Sequence, residues 1–204
     1  MAVRKKTTQQ AMLERVGSEL AESCRVKQAF SDELQGQIVR LAEEMTRVLS
    51  GGGTIYWIGN GGSAADAQHL AAELVGRLLR SRRGFSSVAL TTNTSILTSV
   101  ANDMSYAEVF SRQVEAQLRI GDMLIGLSTS GNSESIVRAI QAAKRRNART
   151  AGWTGKDGGR LKTLAEVCLL VPSSNTQRIQ ESHITIGHIV CGLVEDLLAP
   201  RRKR

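Results

Sequence analysis

A chain of 204 residues with 41% apolar content suffices for one globular domain with a sizeable core, and 3% aromatic content makes that core aliphatic. A formal net charge of +8 admits nucleic-acid binding, but much of the excess sits in Arg4-Lys5-Lys6, Arg80 to Arg83 and Arg201-Arg202-Lys203-Arg204; with no aromatic residues interleaved, the ends read as solvated tails instead. Cys24, Cys168 and Cys191 form no C-x-x-C pair, the first thirty residues hold no signal-like apolar core, and no window approaches a membrane span, so free thiols and a cytoplasmic location are expected.

Residues 8–49 read as one or two amphipathic helices, with Phe30, Leu34, Ile38, Leu41, Met45 and Val48 at three- and four-residue intervals, ended by Gly51-Gly52-Gly53. A helical segment ahead of the first strand has no slot in a doubly wound repeat, so it should pack outside the sheet or against another subunit. Ile55-Tyr56-Trp57-Ile58 then gives a strand, Gly59-Asn60-Gly61-Gly62 a tight loop, and Ser63 an N-cap for an alanine-rich helix. Such a loop aims free N–H groups and the positive end of a helix dipole at one spot, and its natural occupant is an anion such as phosphate.

On that helix Asp66, His69, Glu73 and Arg77 recur at spacings of three, four and four, which places them on one polar face. His69 and Glu73, one turn apart, suit an acid/base pair or two ligands of one metal; an inert surface pair with Arg77 is the alternative.

Further apolar runs at Ser87 to Leu90, Met123 to Leu127, Thr150 to Trp153 and Val167 to Val171 alternate with helical patterns at 105–119, 133–146 and about 176–198. The alternation predicts an α/β domain with a doubly wound parallel sheet of five strands, helices on both faces and a helical extension in front. The whole chain reads as one domain: helices 8–49, an α/β core over 54–198 and a basic tail at 200–204. Ligands of such sheets bind beyond the carboxyl ends of the strands, where strand order reverses.

A second loop at that edge, Ser128-Thr129-Ser130-Gly131-Asn132-Ser133, offers hydroxyls, a glycine and a helix N-terminus, all able to donate to phosphate oxygens. Neither loop ends in Gly-Lys-Ser/Thr, which excludes a Walker A site. Gly59-x-Gly61-x-x-Ala64 matches a dinucleotide fingerprint, yet the second strand ends at Leu90-Thr91-Thr92-Asn93 with no acidic residue for a ribose, so the nicotinamide reading fails.

The segment Arg178 to His188 opens the last helix. Gln180 and His188 lie about 12 Å apart along it, at 1.5 Å per residue, a span two long side chains leaning together can close. His183 falls elsewhere on the helix surface and reads as a core histidine.

Gly59-Asn-Gly-Gly-Ser63, His69-x-x-x-Glu73-x-x-x-Arg77, Asn102-Asp103, Ser128 to Ser133, Thr154-Gly-Lys-Asp-Gly-Gly159 and Arg178-Ile-Gln-Glu181 together resemble the phosphoheptose isomerases of the sugar isomerase (SIS) fold. The likeness runs from about residue 10 to 198 with the motifs in the family's order. It implies a flavodoxin-like SIS fold, interconversion of sedoheptulose 7-phosphate and D-glycero-D-manno-heptose 7-phosphate through an enediol(ate), and entry to the nucleotide-heptoses of bacterial surface polysaccharide.

It also implies a homotetramer with active sites at subunit interfaces, one zinc ion per subunit, and neither nucleic-acid nor membrane partners. By matching positions, the substrate would be held by Asn60, Gly61, Gly62, Ser63, His69, Glu73, Arg77, Asn102, Asp103, Ser128, Thr129, Ser130, Ser133 and Gln180. His69, Glu73, Gln180 and His188 would surround the metal, with Glu73 and His188 the acid/base pair. Neutral Gln177 departs from the acidic residue many relatives carry, which bears on substrate preference.

Ser63-Ala64-Ala65 and Leu97 to Asp103 look equally like a SIS protein that associates with the bacterial replication initiator. That binding module lacks the helix Glu and the late His, whereas Glu73 and His188 are present here. A SIS-type sugar-phosphate sensor is a further alternative.

Overall fold

The computed structural model describes residues 7–199; Arg4-Lys5-Lys6 and the basic tail at 200–204 lie outside the described residues. Helix α1 (Thr8–Gln28) opens with a capping box from Thr7 and Gln10 and has no buried residue. Helix α2 (Asp32–Ser50) is capped by the Ser31 side chain and buries Leu34, Ile38, Leu41, Met45 and Val48, the stripe its spacing predicts. Five parallel strands, β1 (Ile55–Gly59), β2 (Ser87–Ala89), β3 (Met123–Leu127), β4 (Arg149–Thr154) and β5 (Val167–Leu170), stand in the order β2-β1-β3-β4-β5. Between and after them come α3 (Gly62–Val75), α4 (Thr94–Asp103), a 3-10 turn (Tyr106–Glu108), α5 (Ser111–Gln117), α6 (Glu134–Arg145), α7 (Leu161–Leu164) and α8 (Thr176–Leu198).

Alternation along the strands sends side chains to two cores. Ile55, Trp57, Ile125 and Trp153 face a cluster with Leu41, Leu70, Leu74 and Val190 from α2, α3 and α8. Ile58 and Leu124 face the opposite cluster, with Val114, Ile136 and Ile140 from α5 and α6. Both faces of the sheet are covered, as the near-continuous apolar strands require. Among the described residues no helix is long and apolar enough to cross a membrane.

Three local expectations are corrected. The helical pattern at 105–119 resolves into the 3-10 turn and the shorter α5, with buried Val109 and Phe110 at the junction between them. Ser63 is not the N-cap: the cap is Gly61, with φ +56°, and Ser63 sits buried in the first turn of α3. The start of α3 folds close over the end of β1, where a Cβ on Gly59 would lie 2.4 Å from the Ser63 carbonyl oxygen. Finally, α3 ends at Val75, and Gly76 turns the chain away, so exposed Arg77 is past the helix and not on the row of His69 and Glu73.

Helix α4 falls outside the helical patterns read from the sequence: its apolar residues Ile96, Leu97, Val100 and Ala101 do stand at helical spacing, and Leu97, Val100 and Ala101 pack, only partly buried, on the second core cluster. The basic run at Arg80 to Arg83 also divides. Arg82 is buried in an ion pair with Glu195 of α8, whereas Arg80 meets Asp196 at the surface.

Candidate active site

The register of β1 on β3 pairs Gly59 with Leu127, so the loops that follow leave the sheet side by side at its carboxyl edge. Strand order reverses between these two strands, the place where such sheets bind ligands. Helices α1, α2, α4 and α8 have side-chain caps from Thr7, Ser31, Asn93 and Asn175. The helices opening at the switch point, α3 and α6, have none, and neither do the short α5 and α7. The Ser63, Ala64 and Ile136 N–H groups bond back to the Asn60, Gly61 and Ser133 carbonyls; a helix start without a side-chain cap is a general place for an anion on the donors that remain.

In the second loop Ser128 Oγ donates to Ser133 Oγ at 3.0 Å, and the Asn132 N–H donates to Ser130 Oγ at 3.2 Å. Gly131 has φ +67°, and a Cβ there would lie 1.9 Å from the Gly158 carbonyl oxygen. The contact shows what the Thr154–Gly159 motif does: the loop after β4 buttresses the serine loop. Arg160 N–H donates to Asn132 Oδ1 at 3.0 Å, and Leu161 N–H to the Gly131 carbonyl at 3.1 Å. Asn60, in the first loop, donates from Nδ2 to Ser135 Oγ of α6 at 3.0 Å, which ties the two loops together.

Two turns into α3 lie His69 and Glu73, with His69 Nε2 3.2 Å from Glu73 Oε1. Helix α8 runs alongside in the same direction and brings His188 Nε2 to 2.9 Å from His69 Nε2. Close approach of the helices needs Gly187, since a Cβ there would lie 2.4 Å from Leu70 Cδ2. The donor atoms of His69, Glu73 and His188 all lie within 4.8 Å of one another. Ligands of a tetrahedral zinc at about 2.0–2.1 Å stand roughly 3.3 Å apart, and two imidazoles with one carboxylate are a catalytic zinc donor set, so the residues fit such an ion.

Burial raises the Asp66 carboxyl above its ordinary value, and His69 and His188 oppose that shift. His183 is fully buried, contacts the Thr154 carbonyl through Nε2 at 3.3 Å and packs edge-on against Trp153. Burial pushes it down to about 4, partly offset by that hydrogen bond, so it is neutral at pH 7 and a core residue, as read from the sequence. Gln180 lies with its amide against Gly62, where a Cβ would be 2.6 Å from Nε2. Asn102 and Asp103 end α4, exposed, with Asn102 Nδ2 donating to Asp103 Oδ1 at 2.8 Å. Gln177 is exposed in the first turn of α8.

Spacing brought out both loops, His69 and Glu73, and the family resemblance joined His188 to them. Spacing gave no sign of Ser135 or of Tyr106, whose hydroxyl donates to Asn60 Oδ1 at 2.9 Å from 46 residues away. The cleft lined by Leu49, Phe85 and Leu198 sits at the amino edge of the sheet, and neither loop contributes to it.

A doubly wound sheet with two anion-ready loops at its switch point is the frame of a sugar-phosphate domain, and residues 20–155 match the SIS domain family. Over 190 residues the chain is 48% identical to the phosphoheptose isomerase of Aquifex aeolicus (strain VF5), covering 93% of this chain and all of that protein. The solved phosphoheptose isomerase GmhA of Neisseria gonorrhoeae superposes with a TM-score of 0.86 at 44% identity, covering 91% of this chain and 99% of that one. That of Francisella tularensis gives 0.87 at 30% identity, covering 91% and 98%. The chain belongs to the phosphoheptose isomerase family of SIS-domain proteins.

Proposed function

We infer that the chain is an aldose–ketose isomerase interconverting sedoheptulose 7-phosphate and D-glycero-D-manno-heptose 7-phosphate, the first step towards nucleotide-heptoses. The observation that carries this reading is the convergence of His69, Glu73 and His188 from α3, the helix that opens at the first loop, and α8, in a chain of this family. A binding module or sensor needs the loops but has no use for a carboxylate 3.2 Å from an imidazole further along α3, facing a second imidazole from α8.

Moving the carbonyl from C2 to C1 requires a base for a carbon-bound proton and a relay between two oxygens. Glu73 takes the proton from C1 and returns it to C2, while His188 passes a proton between O1 and O2. The phosphate sits on Asn60 to Ser63 and Ser128 to Ser133, and the sugar hydroxyls on Asn102 and Asp103. His69, Glu73 and His188, with Gln180 as a fourth donor by family likeness, would hold a zinc ion that polarises the carbonyl and spreads the enediolate charge. Arg77 enters the substrate site by family likeness alone.

Incubation of the purified protein with sedoheptulose 7-phosphate, with the aldose followed by a coupled kinase, tests the reading. Tight binding of the ketose without turnover would favour the binding module. For the phosphate loops, Ser130→Ala with Ser133→Ala should weaken substrate binding by about 1–3 kcal/mol and fall mainly on KM. An unchanged KM would remove the serine loop from the phosphate site.

The active unit in this reading is a homotetramer of single-domain subunits in the cytoplasm, with sites shared between copies and no nucleic-acid or membrane partner. Two features support association: α1 buries nothing while presenting Met12, Leu13, Val16 and Leu20 to solvent, and His69 and His188 are themselves exposed, next to exposed Val75 and Ile189. Closed symmetric assemblies are the usual outcome of such faces. Sedimentation at micromolar concentration should show a tetramer, and a monomer that is fully active would overturn the shared site.

A further inference from the structure

We propose that Tyr106 is a positioning residue of the phosphate site, acting through Asn60. The proposal rests on the reading of the two loops as that site.

Asn60 is the first residue after β1, and both ends of its carboxamide are engaged. Nδ2 donates to Ser135 Oγ at 3.0 Å, in the first turn of α6, and Oδ1 accepts from the Tyr106 hydroxyl at 2.9 Å. Ser135 is buried, two residues past the end of the serine loop, so it is a fixed anchor. An amide held at Ser135 alone can pivot about that bond. Held also by Tyr106, it keeps Asn60, and with it the Gly61-Gly62 backbone that opens α3, at one place relative to the start of α6. The two uncapped helix ends must keep that spacing if both are to donate to one phosphate.

The origin of Tyr106 adds a second consequence. It begins the 3-10 turn three residues after Asp103 and so joins the segment ending in Asn102 and Asp103 to the first loop. Contacts at the sugar end and at the phosphate end are thereby set by one side chain. Tyr106 is 56% exposed, so the ring adds little to the core, and the hydroxyl is the part with a defined partner.

The test compares wild type, Tyr106→Phe, Asn60→Ala and the double variant. It measures KM and kcat for sedoheptulose 7-phosphate, the inhibition constant of inorganic phosphate, and the melting temperature. Tyr106→Phe should raise KM and the phosphate inhibition constant together, by about 3- to 10-fold, the scale of one lost hydrogen bond. The melting temperature should stay near that of wild type, and the effect should vanish in the Asn60→Ala background. A lower melting temperature with unchanged KM would mark a structural role and overturn the proposal, as would full additivity with Asn60→Ala. A wild-type protein that neither turns over the sugar nor binds phosphate would sink the underlying reading and this proposal with it; an active wild type beside an unaltered Tyr106→Phe would sink only the proposal.

Discussion

In Glu73→Gln, turnover of sedoheptulose 7-phosphate should fall by at least about 100-fold while binding of the sugar phosphate persists, the range expected for loss of a general base. Gln keeps the size of the side chain and a hydrogen-bonding oxygen for the His69 imidazole, now 3.2 Å from the carboxylate, but it removes the basicity. Binding should survive because, on the proposed reading, the phosphate is held by loops at the N-terminal ends of α3 and α6, whereas Glu73 lies near the C-terminal end of α3. Since the same carboxylate belongs to the His69, Glu73 and His188 cluster, metal content must be measured alongside kcat. If the wild type holds zinc, a Gln variant with the same zinc content that does not turn over has lost its base, whereas one that loses both has lost a ligand. Normal turnover would leave Glu73 a replaceable surface charge and return the binding-module reading to first place.

How much of this site was legible depends on what each residue is near in sequence. The strands announce themselves because β-formers bounded by glycine and serine leave few other options, and the β3 limits Met123–Leu127 are those expected. The His69–Glu73 pair is visible because four residues make one helical turn. The His188 contact is not, since it needs α3 and α8 to run side by side through Gly187 against Leu70, a close approach that sequence spacing does not encode.

Ser63 was misplaced by one turn of reasoning. Side-chain preference favours serine as a cap, but the turn made by the positive φ of Gly61 starts the helix earlier. Arg77 was placed on the catalytic face by extending a period beyond the residue where the helix stops. Helix α4 was missed although Ile96, Leu97, Val100 and Ala101 carry a helical period, because that period spans under two turns and is set among Thr, Ser and Asn residues that also suit a loop.

The least legible feature is also the one with the largest expected effect on stability, because a run of arginines reads as a solvated patch and Arg82 is nothing of the kind. Its side chain is 2% exposed and that of its partner Glu195 is 1% exposed. Glu195 Oε1 accepts from Leu78 N–H and from Arg82 Nε, each at 2.8 Å, and Oε2 accepts from Leu79 N–H at 2.8 Å and Arg80 N–H at 3.1 Å. Arg82 Nη2 donates to the Glu73 carbonyl at 2.8 Å, and Nη1 donates to the Leu74 carbonyl at 2.8 Å, so the guanidinium caps the C-terminal end of α3. The knot therefore joins the helix of His69 and Glu73 to the helix of His188.

Glu195→Ala leaves a buried cation without its counter-charge and three backbone N–H groups without their acceptor, which should cost about 3–5 kcal/mol. Replacing both members of a buried ion pair by apolar residues is often harmless, but here Arg82→Met with Glu195→Leu should not restore stability. The N–H groups of Leu78, Leu79 and Arg80 stay orphaned in that variant. Arg80→Ala, which removes the exposed Arg80–Asp196 pair, is the control and should cost under about 1 kcal/mol.

The pH dependence has a definite sign. Burial by itself raises the Glu195 carboxyl, but the three backbone donors and Arg82 more than offset it, and the group is held below its ordinary value. A carboxyl depressed in the folded state contributes stability above its unfolded pKa and loses that contribution as pH falls through the folded one. Denaturant midpoints at pH 7 and at pH 4 and below measure both effects. Wild type should lose more stability on acidification than Glu195→Ala, and a midpoint for Glu195→Ala at pH 7 as little shifted as that of Arg80→Ala would show that the knot does not hold α3 to α8.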